Sequence, residues 1–297
     1  MWSSALRRGF GAAGLAATAG IVRAHEQLTA CDEAPSPRVV GAIVLFRHGA
    51  RSPVFSLPDS PNEPGDSPYN TLDCAPAHAV PVTVLGTKNG AVPNWGPGGR
   101  LTAVGWAQGE ALGRELKKRY GAPSVAPVTS STAVSRTVLT AHAVLTGLYT
   151  PQEGIPAAAG DLPAGGPSLP IHIESYGVLF PPTTCAALSD LMATGRRAHR
   201  EGDAARLRAQ ERAADAYGED YNASSCTMIA IHDDCVSRRF EGHPPSKEVS
   251  SAFCDVATRE AAREVRAALA HGAERSARLS AGKLADRTAG ALRDLIA

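Results

Sequence analysis

Val39-Val40-Gly41-Ala42-Ile43-Val44-Leu45-Phe46-Arg47-His48-Gly49-Ala50-Arg51-Ser52-Pro53 is the stretch of this chain that says most about its fold. The run up to Phe46 is apolar, rich in β-branched side chains and without polar alternation. That pattern predicts a strand buried on both faces, as in a parallel sheet covered by helices. Gly49 and Pro53 end such a strand within a few residues. Arg47, His48 and Arg51 then fall at or just past its carboxyl end, where open α/β sheets hold their ligands.

Arginine stays charged at any working pH, and its forked donors suit the oxygens of a phosphate monoester. Two arginines bracketing one histidine therefore make an anion seat. An imidazole held in it can attack phosphorus as a nucleophile, dividing hydrolysis into formation and breakdown of a phosphohistidine. The guanidinium groups would stabilise charge on the equatorial oxygens, and Gly49 would let the backbone come close to the anion. A solvated basic strand end is the bland alternative, which the full R-H-G-x-R-x-P pattern disfavours.

Arg47-His48-Gly49-x-Arg51-x-Pro53 after an apolar run resembles the signature of the histidine acid phosphatases, the phosphatase branch of the phosphoglycerate-mutase-like superfamily. Gly99-Arg100-Leu101-Thr102-x-x-Gly105-x-x-Gln108 is similar to the family's G-x-L-T-x-x-G-x-x-Q helix start, and Ser131-Thr132-x-x-x-Arg136-Thr137 to its S-T-x-x-x-R-T segment. The resemblance implies an α/β fold: a phosphoglycerate-mutase-like doubly wound sheet with a mostly helical second subdomain. It also implies an acid phosphatase that hydrolyses small phosphate monoesters through a phosphohistidine. His48 would be the nucleophile and Arg47, Arg51 and Arg136 the phosphate clamp, with no metal and no cofactor. Mutases share the Arg-His-Gly start, but the continuation Ala50-Arg51-Ser52-Pro53 resembles the phosphatases.

Weaker marks point to one branch. Val178-Leu179-Phe180-Pro181 with Cys185, the Arg196-Arg197 pair and Asp233-Asp234 are similar to the mitochondrial lysophosphatidic acid phosphatases, type 6. A lysophospholipid would then be one candidate substrate, beside a sugar phosphate or an inositol phosphate.

The chain has 297 residues, 43% hydrophobic and 20% charged, the composition of an ordinary soluble globular protein with a sizeable core. A net charge of +1 gives no reason to invoke nucleic acid. Residues 1–25 carry Arg7, Arg8 and Arg23 but no acid before Glu26, a targeting composition. It leans to a mitochondrial presequence, with a secretory signal or membrane anchor as the alternative. Cys31, Cys74, Cys185, Cys226, Cys235 and Cys254 show no metal-type spacing, and buried or free thiols are the expectation for most of them.

Residues 54–99 hold many prolines and glycines and read as a long loop beside the seat. Thr102 is a candidate N-cap for a helix whose apolar positions are Val104, Ala111, Leu112, Leu116 and Tyr120, and Lys117-Lys118-Arg119 precede Gly121. A strand is expected over 124–129. A helix then follows with Arg136 in its first turn, where the helix dipole would add to its charge, and its apolar positions are Val134, Val138, Ala141, Leu145 and Leu148. A linker over 154–167 precedes a strand at Ile171-His172-Ile173, and helices are expected from Ala187 onward. The resulting division is a targeting segment (1–25), an α/β phosphatase core (38–185) and a mostly helical subdomain (186–297).

A phosphohistidine mechanism needs an acid to protonate the leaving alkoxide. In the resembling family it is the Asp of a late His-Asp pair, after a strand. The only such pair here is His232-Asp233, preceded by Met228-Ile229-Ala230-Ile231 but followed by the polar run Asp234-Cys235-Val236-Ser237-Arg238-Arg239. It better resembles a segment of the branch's helical insertion. The chain then stops after the apolar stripe Leu284, Ala291, Leu292, Leu295 and Ile296. The expectation is therefore a chain truncated before the true pair, with an incomplete sheet, and the alternative function is a non-catalytic phosphate-binding remnant.

Overall fold

The computed structural model describes residues 39–54, 69–87, 98–149, 155–156, 167–174, 178–179, 185–200, 208, 211, 227–245 and 249–296. The targeting segment, Cys31, Cys226 and most of the 154–167 linker lie outside them. In chain order the elements are β1 (Val82–Leu85), α1 (Ala103–Tyr120), β2 (Thr129–Thr132), α2 (Ser135–Leu148), β3 (Leu169–Glu174), α3 (Ala186–Arg200), α4 (Thr227–Glu241), α5 (Ser251–Ala270) and α6 (Ala273–Ile296). Among the described residues the fold is mixed α/β, with a small parallel sheet and six helices. Its strand order is β1-β3-β2, with β3 parallel to both neighbours, Val82 opposite Leu169 and Thr129 opposite Ile171. From Ile43 to Ala297 the chain forms one compact unit.

Helix α1 begins and ends as its residues dictate. Thr102 Oγ1 accepts from the Gly105 N–H at 3.1 Å, and the helix stops at Gly121, whose φ of +80° suits a residue without Cβ. Lys117, Lys118 and Arg119 fill the last turn, where the dipole favours cations. Its buried face differs from the expected one. Gly105, Trp106, Gly109 and Gly113 are buried, whereas Ala111 and Tyr120 are exposed. The reason is the approach of α2: a Cβ on Gly113 would fall 2.1 Å from the Val144 carbonyl oxygen, and one on Gly147 2.0 Å from that of Glu110. Backbone meets backbone, so small residues occupy the contact and the larger apolar residues sit at its margins.

The other face of α2 covers the sheet. Val138, Ala141, Leu145 and Leu148 pack with Val80, Leu169 and Ile171 into one core. A second core joins α4 to α5 through Met228, Ile231, Cys235, Phe253, Cys254 and Ala257.

Three expectations about secondary structure need correction. Val39–Phe46 is not a buried strand: it pairs with no strand among the described residues, and Val39 and Leu45 are 66% and 61% exposed. Strand propensity produces a strand only where a neighbour supplies the hydrogen-bond ladder. The strand expected over 124–129 begins only at Thr129, because Pro123 and Pro127 have no N–H to give a ladder; Val125 and Val128 are exposed. Within the supposed loop 54–99, Val82–Leu85 is a strand, a short β-branched run hidden among prolines. Cys235 and Cys254, which the sequence left open, are joined in a disulfide where α4 and α5 pack with the two Cα atoms 5.8 Å apart. Cys74 and Cys185 are free.

Candidate active site

The motif residues after His48 are held by hydrogen bonds that explain the other matched segments. The Gly49 N–H donates to Thr140 Oγ1 at 3.1 Å and the Ala50 N–H to Gln108 Oε1 at 2.8 Å. The Ala50 carbonyl accepts from the Thr102 N–H at 3.0 Å, and the Ser52 N–H donates to the Arg100 carbonyl at 2.9 Å. Residues 50–53 thus run antiparallel to 99–102, bridged at Arg51 and Leu101. The G-x-L-T-x-x-G-x-x-Q spacing works as a clamp: Thr102 caps α1 while Gly105 and Gln108, one and two turns on, meet the motif backbone.

Arg47, His48, Arg51 and Arg136 share one cavity of about 550 Å³. Ser130, Ser131 and Thr132 of β2 and Thr137 and Thr140 of α2 line it with hydroxyls, and Val44, Leu45, Phe46, Leu179 and Leu284 make an apolar wall. Arg136 lies in the first turn of α2, as expected, and its Nη1 donates to the Gly99 carbonyl at 3.3 Å. Sequence reasoning missed Thr140, which sits four residues after Arg136 on the same helix face. It also missed Leu284, which α6 brings to the cavity and which Arg287, pairing with Glu174 at the end of β3, helps to hold there. Helical spacing alone pointed to the first; nothing local pointed to the second.

His48 Nδ1 lies 2.9 Å from the carbonyl oxygen of Gly49. A carbonyl only accepts, so Nδ1 carries the hydrogen and the lone pair of the neutral ring is on Nε2. Burial pushes the imidazole pKa down to about 4; the Gly49 hydrogen bond opposes the shift, and the charges of Arg47, Arg51 and Arg136 add to it. The ring is therefore neutral and nucleophilic through most of the acid range.

His232-Asp233 stands on α4, not after a strand. Met228, Ile231 and Cys235 are buried at helical spacing, the period that decides between helix and strand. His232 Nδ1 is 3.0 Å from Thr258 Oγ1, and burial lowers its pKa, Asp233 opposing and Arg47, Arg239 and Arg51 reinforcing. The Asp233 carboxylate grips Arg51, with contacts of 2.6 and 3.0 Å.

The family model for the histidine phosphatase superfamily (branch 2) matches residues 38–267, more than three quarters of the chain. The chain belongs to the histidine phosphatase superfamily. Membership in branch 2 suggests a phosphatase acting on a small phosphorylated substrate through a phosphohistidine. No curated protein matches the chain. Among the described residues no cluster of three or more His, Cys, Asp or Glu side chains could hold a metal ion. No described helix is long and apolar enough to cross a membrane.

Proposed function

We propose that this chain is an acid phosphatase that hydrolyses phosphate monoesters with His48 as nucleophile and Arg47, Arg51 and Arg136 as phosphate clamp. The observation that carries the reading is the shared cavity of those side chains around an imidazole whose Nδ1–H is committed to Gly49. The Nε2 lone pair attacks phosphorus, the P–O bond to the alcohol breaks, and water then cleaves the P–N bond to release phosphate. The apolar wall next to the arginines suits an alcohol with a hydrocarbon chain, which favours a lysophosphatidic acid-like substrate and the type 6 branch. In this reading residues 38–185 form the phosphatase core, residues 186–297 supply Leu284 and Asp233 to it from a helical subdomain, and the amino-terminal segment directs the chain to mitochondria.

A second reading, phosphate binding without efficient turnover, is favoured by one observation. No described residue lining the cavity carries a carboxyl group, and both oxygens of Asp233 already accept hydrogen bonds. Aryl and alkyl phosphates separate the two, because a nitrophenolate leaves without a proton and an alkoxide does not. Turnover of both, abolished in His48→Ala, supports the first reading; orthovanadate binding with hydrolysis of neither supports the second. Aryl phosphate hydrolysis that survives in His48→Ala would rule out the phosphohistidine mechanism.

A further inference from the structure

Asp233 and Arg51 are 182 positions apart, and their side chains are only 15% and 12% exposed. Arg51 donates from Nη1 to Oδ2 at 3.0 Å and from Nη2 to Oδ1 at 2.6 Å. The Val54 N–H donates to Oδ2 at 2.7 Å, and a second Nη1 hydrogen goes to the Ser52 carbonyl at 2.9 Å. The carboxylate is itself braced. Its helix is tied to α5 by the Cys235–Cys254 disulfide, and the adjacent Asp234 pairs with Arg238 at 2.8 Å.

A guanidinium has five N–H donors in a fixed plane. Asp233 takes the end of the fork, across Nη1 and Nη2, and Ser52 takes the Nη1 flank. The opposite flank is left, where Nε–H and the second Nη2–H point the same way. Arg51 Nε is buried and has no acceptor among the described residues. An Nε–Nη2 edge can grip two oxygens of a single phosphoryl group.

We propose that Asp233 is a positioning residue that holds Arg51 by the end of its fork so that the Nε–Nη2 edge is presented to the phosphoryl group. The role rests on the phosphate-binding reading of Arg51 given above. Electrostatics and orientation oppose each other here. A bare carboxylate competing for Arg51 would weaken oxyanion binding, and its removal would tighten it; a positioning carboxylate does the reverse, because a long side chain freed from its partner loses its aim.

The test is a double-mutant cycle read by orthovanadate affinity and by KM and kcat for an aryl phosphate. Asp233→Asn is expected to raise the vanadate Kd and the KM together by about tenfold, with kcat changing much less. In an Arg51→Ala background the same substitution is expected to change the vanadate Kd by less than about twofold. Unchanged or tighter vanadate binding in a folded Asp233→Asn chain overturns the proposal, as does an equal loss with and without Arg51. Should Asp233→Asn fail to fold, the wild-type chain still decides. Its Arg51 Nε–H resonance, assigned by its loss in Arg51→Lys, is expected to move downfield on addition of inorganic phosphate, and a resonance that stays put overturns the role. A wild-type chain that binds neither vanadate nor phosphate would remove the underlying reading as well, an outcome distinct from a wild type that binds and an Asp233→Asn chain that matches it.

Discussion

A Cβ on Gly49 would lie 2.3 Å from the carbonyl oxygen of Gly105, and one on Gly105 2.0 Å from the carbonyl oxygen of Ala50. The Arg47–Pro53 motif and the start of α1 therefore touch through bare backbone, and the glycines in the two segments are one requirement met from both sides.

Gly49→Ala and Gly105→Ala should each destabilise the fold by about 3 kcal/mol, since the Gly105 carbonyl is fixed in the α1 backbone and the Ala50 carbonyl is held by Thr102. Gly282 is the control: it sits inside α6 with nothing within 4 Å of a Cβ, so Gly282→Ala should be neutral or stabilise by up to about 1 kcal/mol. Urea unfolding of the three variants checks this, and equal losses at all three positions would contradict it.

The low pKa of His48, about 4 against an ordinary 6.5, makes two statements about pH. Activity should be flat from neutral pH down to about 5 and then fall by about tenfold per unit below 4, as protonation of the imidazole takes up its Nε2 lone pair. Stability should move over a different window. The unfolded chain takes up this proton near 6.5 and the folded chain only near 4, so stability falls as pH drops between those values and this contribution is gone below them. Unfolding curves for the wild type and His48→Ala between pH 7 and 4 should converge as acid is added; parallel curves would show that burial does not hold the ring neutral.

Reduction of Cys235–Cys254 should cost about 3 kcal/mol, from the chain entropy released when the crosslink between α4 and α5 opens. The midpoint of urea unfolding with and without reductant measures it. A midpoint that does not move would mean that the apolar core around Ile231 and Phe253 holds these helices together unaided.

Much of this architecture was legible because its causes are local. Thr102 caps α1 through its own hydroxyl, Gly121 ends it by its conformation, and Val138, Ala141, Leu145 and Leu148 mark the buried stripe of α2 by period alone. The failures share a cause too. Val39–Phe46 has the composition of a strand but no ladder partner among the described residues, and Met228–Ile231 reads equally as strand or helix over so few positions. The glycine face of α1 was invisible because hydrophobic periodicity does not register close backbone approach.

The residues by themselves determined the chemistry on offer: an imidazole between guanidinium groups, in an order that few unrelated chains would carry, with a third arginine at a helix start. Side-chain type, charge and short-range spacing are properties of the covalent chain. Only the tertiary structure decided what each group is free to do. It set Arg51 against a carboxylate from a distant helix, brought Leu284 to the cavity wall and closed a disulfide between helices. Those are distances between segments far apart in the chain, and they follow from how the cores pack.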